Sequence, residues 1–101
     1  MNSPASRAHC TVVDASKLPA DSGGAAALCA AVERAVSARA PGVAYSAEIR
    51  VLSASRLVAS LTRDGHKLPE HNFASVDRAL NAGSFERFAK ALADQVANWQ
   101  Q

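Results

Sequence analysis

The sequence predicts an α+β fold: a two-layer sandwich in the order β-α-β-β-β-α, with a four-stranded mixed sheet and both helices on one of its faces. Three patterns carry this. Residues 43–51 alternate apolar and polar side chains, an Asp64-Gly65 dipeptide separates two strand-like runs, and two further segments each bear a single apolar helical stripe. Two stripes need one sheet face between them, and the result is two layers.

His9 to Asp14 is a short β-branched run and reads as the first strand. Residues 17–24 hold Pro19, Asp21, Ser22, Gly23 and Gly24 and read as loop. From Ala25 to about Ala40 the chain is alanine-rich, with Leu28, Cys29, Val32 and Val36 on one helical stripe. Asp21 or Ser22 is available as the cap, and Pro41-Gly42 ends the helix. A right-handed crossover then sets the first strand parallel to the second.

In the second strand Val43, Tyr45, Ala47, Ile49 and Val51 point one way, and Ser46, Glu48 and Arg50 the other. After a tight connection at 53–55, Leu57, Ala59 and Leu61 continue the alternation as the third strand. Asp64-Gly65 suits a type I′ turn, whose two central positions need positive φ, so a fourth strand runs back from His66 to about Val76. That turn pairs Leu61 with Leu68, yet the same register would set Leu57 opposite Asn72 and turn Phe73 outward. A one-residue slip near Pro69-Glu70 restores Phe73 opposite Leu57, so a β-bulge is expected there, on an edge strand.

After a connection over 77–83, Ser84 is the expected cap of a second helix. Its stripe is Phe85, Phe88, Ala89, Leu92, Val96 and Trp99. Glu86 with Lys90, and Lys90 with Asp94, are spaced for i,i+4 ion pairs on the opposite face.

The chain has 101 residues, 49% of them apolar, and alanine supplies 23 of these, so one domain with a thin core is expected. At this size roughly two thirds of the unfolded surface can be buried, too little for a deep enclosed active site. Charged residues at 20% with few Gly and Pro exclude collagen, coiled coil and outright disorder. No run approaches the ~20 apolar residues of a membrane span. There is no G-x-S-x-G context, no phosphate loop and no paired carboxylates, so no enzyme and no cofactor are expected.

Cys10 and Cys29 fit neither a CxxC redox motif nor a zinc spacing. They are either independent small buried side chains or a disulfide from the first strand to the first helix, which would stabilise by about 3 kcal/mol for a loop of roughly 20 residues. Residues 1–8 read as a flexible segment, with Ser6-Arg7-Ala8 in the small-x-small form that precedes signal-peptidase cleavage; residues 9–101 form the domain. A periplasmic or otherwise exported location is expected, with a cytoplasmic one as the alternative.

Docking of another protein, or of a second copy, is the expected function. The surface would be the open sheet face around Arg50, Leu52, Val58 and Ser60, or the edge near Pro69. A cytoplasmic nucleic-acid or small-ligand binder is one alternative. Against nucleic acid, the net charge is only +2, Arg50, Arg56, Arg63, Lys67, Arg78, Arg87 and Lys90 are scattered, and the open face lacks stacking aromatics. A metal binder built from His66, His71 and His9 is the other. Ser22-Gly23-Gly24 before a helix start is a further place for an anion.

The stretch from Tyr45 to Trp99, ending in the amphipathic run FERFAKALADQVA, resembles the closing part of small α/β modules in bacterial envelope proteins, such as the TolB amino-terminal domain and the auxiliary lipoproteins of lipid-transporting ABC systems. Cys10 follows no lipobox, and the run carries no functional residue across. The resemblance implies an envelope-located, non-catalytic docking module.

Overall fold

The structure, a computed structural model, describes residues 8–76 and 78–98. The expected flexible stretch over 1–7, Asp77 and Trp99 lie outside the described residues; Ala8, placed with the flexible start by its sequence, belongs to the first strand. In chain order the elements are β1 Ala8–Val13, two short 3-10 turns at Ala15–Lys17 and Ala20–Ser22, α1 Gly24–Arg39, β2 Tyr45–Ser53, β3 Arg56–Arg63, β4 His66–Lys67, β5 His71–Ala74 and α2 Ala82–Asn98. The α+β class and the mixed sheet are as the sequence predicts. β1 runs parallel to β2, β2 antiparallel to β3, and β4 and β5 both pair antiparallel with β3.

The expected fourth strand is split in two. Asp64 and Gly65 both take positive φ, 50° and 85°, and the turn sets Thr62 opposite Lys67. Leu68 still donates its N–H to the Leu61 carbonyl at 2.9 Å. Beyond Pro69, whose ring nitrogen has no hydrogen to give, the register slips by one and Leu57 faces Phe73. Both apolar pairs thus reach the covered side of the sheet, at the expense of strand pairing at Pro69 and Glu70. Gln95 of α2 secures the break by donating its side-chain N–H to the Pro69 carbonyl at 2.6 Å.

Tyr45, Ala47, Ile49 and Val51 of β2 and Leu57, Ala59 and Leu61 of β3 are all buried. They join Leu28, Val32 and Val36 of α1 and Phe85, Phe88, Leu92 and Val96 of α2 in one cluster, so both helices cover the same face. Alanine makes this closeness possible: Ala31, Ala47, Ala59, Ala89 and Ala93 are each at most 2% exposed. The aromatic content is small but central, with Phe73 meeting Phe88 edge-on at 5.6 Å between centroids.

Two local expectations are corrected. The cap of α2 is Asn81, not Ser84: Asn81 Oδ1 accepts the Ser84 N–H at 2.9 Å, and the Asn81 N–H donates to Ser84 Oγ at 3.2 Å, a reciprocal capping box. The ion pairs are not within α2 either. Glu86 pairs with Arg34 at 2.6 Å and Asp94 with Arg39, both on α1, because the flank shared by two packed helices brings those chains closer than one turn of α2 does.

Candidate functional site

Cys10 of β1 and Cys29 of α1 form a disulfide, with Cα atoms 5.8 Å apart. Of the two sequence readings the bridge is the one realised. It joins the sheet to the helix layer at an edge strand, since among the described residues β1 pairs only with β2.

The uncovered side of the sheet carries Thr11 and Val13 from β1, Ser46, Glu48, Arg50 and Leu52 from β2, and Val58, Ser60 and Thr62 from β3, as strand register requires. None of these is buried, and Leu52 is 40% exposed. Arg50 stands opposite both Val13 and Val58, so the partner surface read from the sequence, Arg50, Leu52, Val58 and Ser60, lies on two adjacent strands. Ser60 donates to the Glu70 carboxylate at 3.4 Å, which draws Glu70 towards this face.

The two sheet edges differ. At one side β4 and β5 have two and four residues, are separated by Pro69, and carry Lys67; these are devices by which natural edges resist pairing. At the other, β1 has six residues, Ala-His-Cys-Thr-Val-Val, with no proline, lysine or carboxylate, in an unbroken register with β2. Among the described residues no backbone hydrogen bond joins β1 to anything except β2. The edge near Pro69, expected as a docking place, is therefore the better protected of the two, and β1 is the edge the sequence reading did not single out. Only strand order identifies it, because a strand's outer side is invisible in its own residues.

The histidines do not converge. His9 is on the open face of β1, opposite Ser46, and His66 is exposed beside the β3–β4 turn. His71 faces the covered side, its ring against Phe88 at 5.9 Å, and burial lowers its pKa below the ordinary histidine value. Among the described residues no three His, Cys, Asp or Glu side chains gather in a way that could hold a metal ion.

At the start of α1, Ser22 is buried and its hydroxyl is committed, donating to the Pro19 carbonyl at 2.7 Å and accepting the Gly24 N–H at 3.2 Å. Gly23 has φ +101°, and a Cβ there would lie 2.6 Å from that of Ala27. Helix entry explains this glycine without an anion.

No protein-family model, curated protein or solved structure matches the chain. Among the described residues no helix is long and apolar enough to cross a membrane.

Proposed function

We propose that the chain is a small non-enzymatic domain of the periplasm or another exported compartment, and that it docks an extended segment of a second protein along β1. The observation that supports this is the unguarded outer edge of β1 on a sheet whose opposite edge is guarded. A strand added there gains main-chain hydrogen bonds, and its onward chain lies over Arg50, Leu52, Val58 and Ser60. Six residues span only about 20 Å. Two rigid copies meeting along that line alone would fall short of the roughly 1,200 Å² of a stable interface, whereas an extended segment can pair with β1 and cover the face as well.

Export is supported by the Cys10–Cys29 bridge, since disulfides persist in oxidising compartments, and by the likeness of residues 45–99 to envelope modules. Thiol titration of denatured protein from its native source tests this, and two free thiols would contradict it.

Docking is tested by chemical cross-linking of the purified domain in an envelope extract, followed by size-exclusion chromatography. A discrete adduct is expected, lost in Thr11→Lys and retained in His66→Lys, which changes an exposed residue of the opposite edge. Monomer alone, or an adduct indifferent to Thr11→Lys, would count against the proposal.

A further inference from the structure

Among the described residues, ion pairs engage Arg34, Arg39 and Arg63, but give no carboxylate to Arg78 or Arg87. These two, nine positions apart in sequence, line one cavity of about 490 Å³ with Phe73, Val76, Asn81 and Gly83. It lies between the end of β5 and the first turn of α2, on the side of the molecule away from β1. Its volume falls in the range of small-ligand sites, and its wall combines an apolar part with two cations.

The placement of Arg87 is the informative detail. Its Nη1 atom comes within 3.9 Å of where a Cβ on Gly83 would stand, so the side chain reaches back along α2 towards the helix start. A cation gains nothing from that end of a helix, where the backbone dipole is itself positive. The neighbouring Glu86, which would otherwise be the nearest acid on the helix, is held by Arg34. Two arginines therefore line one concave wall, neither with a carboxylate partner among the described residues, beside Val76, which is 76% exposed.

We propose that this cavity binds a small organic anion, a carboxylate or a phosphate monoester, with its charged end between Arg78 and Arg87 and its apolar body against Phe73 and Val76. Planar guanidinium groups match both oxyanions with paired N–H donors. The proposal stands on the cavity and its two arginines. The helix end contributes no more than the Gly83 backbone, because Asn81 and Ser84 already cap it.

The test is an amide NMR titration of the full chain at low salt with phenylacetate, phenyl phosphate and the neutral benzyl alcohol. Saturable shifts at Val76, Arg78 and Gly83 are expected with at least one anion, and the tighter of the two identifies the oxyanion class. Arg78→Gln and Arg87→Gln should each weaken binding about ten-fold, the loss of one charge-assisted contact, while Arg50→Gln leaves it unchanged. No saturable shift with either anion, equal shifts with benzyl alcohol, or unchanged binding by the Arg78→Gln/Arg87→Gln double variant would overturn the proposal.

Discussion

Cys10 and Cys29, 19 positions apart in sequence, are covalently joined between the outermost strand and the first helix. A crosslink of this loop length limits the unfolded chain enough to stabilise by about 3 kcal/mol. Reduction, or Cys10→Ser with Cys29→Ser, should lower the urea midpoint and steepen the slope, because the freed unfolded chain exposes more surface. Hydrogen exchange should show β1 as the region that opens most.

Tyr45 presents a buried hydroxyl with no hydrogen-bond partner among the described residues. Its pKa is raised, chiefly by burial and secondly by the Glu33 carboxylate. Tyr45→Phe removes the uncompensated group and should stabilise by about 1 kcal/mol. The tyrosine contribution is fully present below the unfolded value of 10.0 and is lost as pH rises through the higher folded value. Alkaline unfolding should therefore begin at higher pH in the Phe variant.

His71 titrates in the opposite sense. Burial depresses its folded pKa below the usual 6.5, so the unfolded chain takes up a proton that the folded chain resists. Stability from the neutral ring is fully present above about pH 6.5 and is lost as pH falls through the folded value. Denaturation followed from neutral to mildly acidic pH should show a steeper decline for the native chain than for His71→Leu.

Asn81 starts α2 by binding the Ser84 N–H. Asn81→Ala should cost about 1 kcal/mol. Phe88→Ala, at a position that is 0% exposed and in ring contact with both Phe73 and His71, should cost about 3–5 kcal/mol. Thermal or urea unfolding separates the two easily.

Much of this fold was legible because local and distant signals agree. Asp64-Gly65 fixes one register for Leu61 with Leu68, the apolar pattern demands another for Leu57 with Phe73, and only a break near Pro69 satisfies both. The misses have a common cause. Asn81 and Ser84 are both good caps within three residues, and nothing local ranks them. Glu86 and Asp94 have an acceptable partner at Lys90, so their pairing with Arg34 and Arg39 depends on how α1 and α2 lie together. Arg78 and Arg87 share no helical or strand spacing, and β1 becomes an edge only through the order of the whole sheet. The candidate sites are products of assembly, and sequence periodicity carries no record of them.

The docking proposal is tested most directly by placing a photo-crosslinking residue at Thr11 of β1 and, separately, at His66 of β4, on the opposite edge, in the chain expressed in its native host. Adducts to one protein from position 11, with none from position 66, are the expected result. Adducts from position 66 alone, equal adducts from both, or none from either would contradict the assignment of β1 as the docking edge.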